Sequence, residues 1–336
     1  MLAKNIVFTA PYKAEILLEP VRDVGADEVK IKLSFTTISS GTERANYVGN
    51  PTVAVLVKKD VVEYPRRCGY SSSGVVVEVG ANVKEIAVGD RVAVSWSVHA
   101  EYVVVNRADV HKIPSEQISF QEAALIHIAT FPMGAIRKCC LEIGESAVVM
   151  GMGILGLFAV KLLRAAGAVP IIAVDPNPAK REIALKAGAD YALDPYSPNF
   201  EQQAKDITGG GAKVGIEVTG VGAGLNGILD CMAPFGRVAL LGCTRSSDFT
   251  VNYYKKVHGP GITLVGAHTI ARPTVASYPH YWTTHDDALA IMNLIDLGRL
   301  ELLSLVEETH KPEDAQIVYT RLAKEQSFPI VQFDWN

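Results

Sequence analysis

Up to about residue 123 the apolar positions fall in short β-branched runs, VKIKLSFTTI, SGVVVEVG, DRVAV and EYVVV, punctuated by glycine and proline. Short strands between turn signals predict a compact, mostly antiparallel β-domain. From 124 to 268 the pattern changes. Near-continuous apolar runs recur as SAVVM (146–150), PIIAVD (170–175), DYALD (190–194), VGIEVTG (214–220), GRVALLG (236–242) and ITLVGA (262–267). Helical stretches such as GILGLFAVKLLRAAG and PAKREIALKAG separate most of them. Strands apolar on both faces and joined by helices predict an α/β, doubly wound parallel sheet, in two halves that break near residue 200. From 269 to 336 the alternation lapses. HDDALAIMNLIDLGR has helical spacing with Thr284 as its cap, and KPEDAQIVYTRLAK opens on a proline suited to a first helical position. FPIVQF reads as a closing strand that returns to the first domain.

A chain of 336 residues is long for one core, in keeping with three segments that make two domains: 1–123, 124–268 and 269–336, the last completing the first. An apolar share of 49% excludes a disordered chain, and a net charge of −4 gives no nucleic-acid or anionic-membrane footprint. No uncharged apolar stretch of about 20 residues exists, and MLAKNIVFTAPYKAEILLEP reads as a first strand rather than a leader, so a cytoplasmic protein is expected. The five cysteines, at 68, 139, 140, 231 and 243, form no C-x-x-C pair and are expected to be reduced.

The most specific chemistry lies in Gly151-Met152-Gly153-Ile154-Leu155-Gly156, between a buried-type strand and an apolar helix. Asp175 follows the next strand. In that context the glycines permit a tight turn, backbone approach to a diphosphate, and close helix–strand packing. The helix N-terminus offers N–H groups to the phosphates. Asp175 is expected to accept from the adenosine ribose hydroxyls and to repel a 2′-phosphate, which favours NAD over NADP, although Lys180 and Arg181 lie near. Thr219, Gly242, Cys243 and Val265 fall at strand ends where such a fold places further cofactor contacts.

With these pieces the chain resembles the medium-chain dehydrogenase/reductase superfamily, most strongly its sorbitol and threonine dehydrogenase branch. GTE (41–43), the G-x-x-x-x-G of 69–74, VGDRV (88–92), AEYVVV (100–105), GMGILG (151–156) and AVDPNPAKREIALKAGAD (173–190) carry the resemblance. ITLVGAH (262–268) and KPEDAQIVY (311–319) match the family's late strand and last helix. The resemblance implies a Rossmann domain inserted into a GroES-like catalytic domain, NAD(P)-dependent hydride transfer, and a homodimer or homotetramer.

Zinc-dependent relatives carry a cysteine where this chain has Ser40, a histidine where it has Tyr70, a glutamate where it has Ser71, and a third ligand near His127. A serine and a tyrosine are poor zinc ligands. The four-cysteine lobe is missing too, so no metal is expected. The catalytic candidates are then Thr42 as a proton-relay hydroxyl, Glu43 as a carboxylate that orients a base or bonds a substrate hydroxyl, Tyr70 as a donor to the substrate oxygen, and His127 as general acid–base. Each has a purely structural alternative: a strand-end hydroxyl, a solvated acid, a packed ring, a core histidine. Softer candidates in or beside loops are Tyr47, Trp96, His99, Tyr281, Trp282 and His285. The expected activity is zinc-independent, NAD-dependent interconversion of a secondary alcohol (polyol, sugar or cyclic alcohol) and its ketone. An NAD(P)H-dependent enone or quinone reductase and a non-catalytic NAD-binding protein are the alternatives.

Overall fold

The N-terminal segment read as one strand makes two. β1 (Leu2–Ala10) and β2 (Lys13–Pro20) form an antiparallel hairpin that turns at Tyr12, whose φ is 61°. The protein is described from a computed structural model covering residues 1–50 and 63–336. Its contacts divide it into two units: Met1–Ile128 with Ala288–Gly298 and Leu302–Asn336, and Ala129–Asp287 with Arg299–Glu301.

After the hairpin, the first unit runs through β3 (Glu28–Thr37), α1 (Ser40–Val48), β4 (Arg66–Arg67), β5 (Ser71–Val79), β6 (Arg91–Ser95), β7 (Tyr102–Asn106), β8 (Val110–Lys112) and α2 (Phe120–Ala123). Helix α3 (Ile126–Lys138) follows. The β-branched runs become antiparallel strands, with β5 between β3 and β6, and β8 beyond β6. Their inward positions, including Val29, Ile31, Leu33, Val76, Val92 and Val103, form one core.

In the second unit every sheet pairing is parallel. The strands are β9 (Ala147–Met150), β10 (Ile171–Val174), β11 (Tyr191–Leu193), β12 (Ala212–Glu217), β13 (Met232–Leu240) and β14 (Thr263–Gly266). Their spatial order is β11-β10-β9-β12-β13-β14. The intervening helices are α4 (Ile154–Ala165), α5 (Pro178–Ala187), α6 (Phe200–Thr208) and α7 (Gly222–Asp230). Every residue of β9 and β10 is buried, which explains their unbroken apolar character. The chain moves outward from β9 to β11 and then returns to the other side of β9, so the order reverses between β9 and β12. That is where a doubly wound sheet opens its binding crevice.

The last segment stays with the second unit longer than the alternation indicated. Arg272 donates to the Thr130 carbonyl (2.8 Å), and Arg272 and Arg137 both hold the buried Asp287 carboxylate, at 3.2 and 2.7 Å. The return to the first unit therefore comes at Ala288 rather than at 269. Helix α8 (Thr284–Asp296) is capped one residue early, by Thr283 Oγ1 accepting from the Asp286 N–H. β15 (Glu308–His310), α9 (Ala315–Lys324) and β16 (Val331–Asp334) complete the first unit. β16 pairs antiparallel with β3. Phe8, Tyr47, Tyr319, Val331 and Phe333 make a second core there.

Candidate functional site

The dinucleotide turn of the second unit is built from backbone. Gly151 follows β9 with φ 101°, a conformation that side chains resist, and a Cβ there would lie 2.8 Å from Thr219 Cγ2. A Cβ on Gly156 would lie 1.8 Å from the Gly151 carbonyl oxygen, so α4 packs directly on the turn. Gly153 is different: it is the N-cap of α4, no side chain caps that end, and nothing lies within 4 Å of where its Cβ would be. Ile154 and Leu155 open the first turn behind it. These residues present N–H groups in a space kept clear of side chains, which fits a bound diphosphate.

Asp175 stands just past β10. Its two carboxylate oxygens accept from the N–H groups of Met152 and Asn177, each at 2.8 Å. The strand end and the glycine turn are thereby joined, leaving further lone pairs for a ribose diol. Arg181, the expected rival to that charge, donates to the Asp175 and Pro176 carbonyls and pairs with Asp194 at 3.2 Å. Beyond β12, Thr219 gives both its N–H and its hydroxyl to Glu217, which also accepts from the Gly220 N–H. Burial pushes the Glu217 carboxyl above its ordinary range. Gly242 lies where a Cβ would come within 2.4 Å of the Gly220 nitrogen, so the ends of β12 and β13 pinch together. Cys243 is exposed beside them, and Val265 is half-buried in β14 opposite Ala239. Sequence reasoning missed Glu217, although a lone acid inside an apolar strand was a usable signal.

The four expected catalytic residues, Thr42, Glu43, Tyr70 and His127, lie in the first unit, and there side chains do the building; the softer candidates Tyr281, Trp282 and His285 lie in the second. Ser39 is the N-cap of α1 but caps nothing with its hydroxyl, because Ser39 Oγ hydrogen-bonds the Tyr70 hydroxyl. The cap is closed from the other direction: Glu43 Oε1 accepts the Ser39 N–H at 2.7 Å. The Tyr70 ring meets His127 edge-on at 5.7 Å and Trp96 at 6.0 Å, and Trp96 meets His127 at 4.7 Å. Trp96 is 43% exposed and holds a φ of 55°. A bulky residue adopts that backbone only where its surroundings impose it. His127 is buried.

Thr42 is half-buried in the first turn of α1. Glu43, in contrast, is turned inward. It is 1% exposed, and besides the Ser39 N–H its carboxylate bonds His99 Nε2 (3.0 Å) and the Tyr319 hydroxyl (2.6 Å). It is committed to the protein rather than to a substrate hydroxyl. The three serines after Tyr70 are structural as well. Ser71, together with Thr37, donates to the Ala124 carbonyl, Ser73 donates to that of Phe120, and Ser72 donates to Ser97. Ser71 and Ser73 thus pin the α2 segment that leads into His127.

The resemblance implies zinc, and the donors at its three positions are Ser40, Tyr70 and His127. Among the described residues, no three His, Cys, Asp or Glu side chains come together as a metal-binding group. This donor set does not match the three nitrogen, sulfur or carboxylate ligands that a catalytic zinc takes.

Residues 25–115 match the alcohol dehydrogenase GroES-like domain family, and residues 155–282 match the zinc-binding dehydrogenase family. The chain is 29% identical to an L-threonine 3-dehydrogenase of Pyrococcus horikoshii over 344 aligned positions, covering 92% of each chain. It is 31% identical to an (R,R)-butanediol dehydrogenase of Bacillus subtilis over 238 positions, covering 62% of this chain and 68% of that one. An Escherichia coli alcohol dehydrogenase solved with NADH shares the fold at a TM-score of 0.83, with 20% identity and 99% of each chain covered. The chain belongs to the medium-chain dehydrogenase/reductase superfamily. Within it, the chain is an NAD(P)-dependent enzyme of the alcohol and polyol dehydrogenase class.

Proposed function

We propose that this enzyme interconverts a secondary alcohol, on a polyol, sugar or cyclic alcohol, and its ketone with NAD, and does so without zinc. The observation that carries the reading is the meeting of Tyr70, Ser39 and His127 at and beside the positions where zinc-dependent relatives keep metal ligands. The bound nicotinamide supplies the hydride acceptor. The chain has to hold the substrate oxygen and move its proton. The Tyr70 hydroxyl, itself held by Ser39, holds the oxygen in place of a Lewis acid. The imidazole of His127, against the Tyr70 ring, takes or returns the proton. Asp175 supports NAD over NADP by accepting from ribose hydroxyls. The substrate class is supported by the relatives, since threonine at C3 and butanediol are both secondary alcohols.

The test is NADH oxidation against a panel of ketones by protein purified without chelator, with metal content measured on the same sample. Tyr70→Phe is expected to lower kcat about 10²–10³-fold, the size of one lost oxyanion donor. His127→Ala should lower it about 10²–10⁴-fold, with NADH still bound. Unaltered rates in both variants, or one tightly held zinc per chain whose removal stops turnover, would overturn the reading.

A further inference from the structure

A buried chain of five side chains lies behind the Tyr70 corner. Trp335 Nε1 donates to Thr36 Oγ1 (3.0 Å), Thr36 Oγ1 meets His99 Nδ1 (2.7 Å), His99 Nε2 meets Glu43 Oε2 (3.0 Å), and the Tyr319 hydroxyl donates to the same oxygen (2.6 Å). Four of the five are at most 1% exposed, and Trp335 is 8% exposed. An indole N–H can only donate, so Thr36 Oγ1 accepts from Trp335; the Glu43 carboxylate can only accept, which puts a proton on the His99 Nε2 beside it and leaves Nδ1 to take the Thr36 proton. His99 then carries its proton on Nε2, aimed at Glu43. If both ring nitrogens carried protons, Trp335 and His99 would both donate into Thr36, leaving the threonine proton outside this chain. Tyr319 remains a donor, because burial and then the Glu43 charge push its phenol well above the ordinary range. Cys68, whose thiol burial and Glu43 also push up, is a further titratable group near this carboxylate among the described residues.

We propose that His99 is a positioning residue of the dehydrogenase site: it fixes Glu43, and through Glu43 the Ser39 N–H, so that Ser39 Oγ stays on the Tyr70 hydroxyl. The inference rests on the role given to Tyr70 above. The backbone of His99 is tied to the same corner, its amide N–H donating to the Cys68 carbonyl (2.8 Å), two residues before Tyr70; the side-chain variants keep that bond, so they test the imidazole alone. A glutamate deprived of one donor relaxes its reach to the N-cap, and the Ser39 hydroxyl is then free to cap the helix like an ordinary serine. Tyr70 would lose its bond to the Ser39 hydroxyl.

The experiment is a double-mutant cycle on kcat with NADH binding measured alongside. His99→Phe should lower kcat about ten- to a hundredfold, the effect of a small misplacement, while the NADH dissociation constant holds. His99→Gln, which can donate to Glu43 and accept from Thr36, should restore most of that rate. In a Tyr70→Phe background, His99→Phe should add almost nothing, because coupled residues are not additive. Should His99→Phe fail to fold, Thr36→Val removes the bond to Nδ1 together with the one to Trp335 Nε1, keeps the His99 ring, and is read in the same cycle. Wild-type turnover in the folded variant, or an undiminished loss in the Tyr70→Phe background, overturns the positioning role. Full activity of Tyr70→Phe alone sinks the reading of Tyr70 instead. Nitrogen-15 shifts of His99 should show the Nε2–H tautomer; the other tautomer would overturn the hydrogen-bond assignment.

Discussion

The glycine turn at 151–156 and the corner around Tyr70 are both framed by glycines, yet they are built from different material. At the turn, specificity comes from what is missing. Gly156 and Gly151 let backbone lie on backbone, and Gly153 leaves a space that a side chain would fill. At the corner, specificity comes from side chains that bind one another across long stretches of chain: Ser39 with Tyr70, Glu43 with His99 and Tyr319, Ser71 with Ala124. A backbone site binds a diphosphate that every dinucleotide carries, and few sequences can make it. A side-chain site can exchange its chemistry while its frame persists. Here the glycines at 69 and 74 frame a phenol, Tyr70, whose hydroxyl is bonded by that of Ser39.

The sharpest way to break this contrast is Gly156→Val. With a backbone oxygen 1.8 Å from its Cβ, the variant must move α4 off the turn. Loss of measurable NADH binding is expected, with a destabilisation of about 1–3 kcal/mol or more in thermal melts. Wild-type affinity would show that the close packing is dispensable. Gly153→Ala separates binding from folding. It meets no protein atom within 4 Å, so the melting temperature should hold while NADH binds about tenfold more weakly. An unchanged dissociation constant would move the diphosphate elsewhere.

Thiol labelling sharpens the comparison further. Cys139 and Cys231, pushed up to about 12 by burial, should resist iodoacetamide at neutral pH, while the exposed Cys140 and Cys243 react. NADH should protect Cys243 alone; equal protection of Cys140 would remove Cys243 from the cofactor edge. The smallest effect concerns pH. In the first unit, the hydrogen-bonded Arg321 guanidinium, aided by His310, holds the Glu308 carboxyl down to about 2. A depressed carboxyl stabilises the fold above its unfolded pKa, and that contribution is lost as pH falls from about 4.5 toward 2. The melting temperature should fall across that range less steeply in Glu308→Gln than in the native protein. An identical slope would show that this edge of the first unit does not depend on the Glu308 charge.

How much could be read along the chain follows from the same contrast. The parallel sheet, the turn and Asp175 were visible because their signals are local: a strand, three spaced glycines, and an acid after the next strand. The first hairpin was read as a single strand because the turn at Tyr12 uses a left-handed tyrosine rather than glycine or asparagine. The roles of Glu43 and of the three serines were not visible. A glutamate beside a threonine and a run of hydroxyls look alike whether they face substrate or protein. Glu217 carried a signal that went unused, an acid buried at the end of an apolar strand.

Short-range spacing determined that this chain folds as a doubly wound sheet and a β-domain and leaves helix N–H groups open to a dinucleotide. That geometry depends on φ angles and on missing Cβ atoms, which neighbouring residues set among themselves. Only the tertiary structure decided that Tyr70, Trp96 and His127 share a corner and that His99 lies behind Glu43. Those contacts join strands, loops and helices dozens of residues apart, and their partners come together only once the sheet has closed.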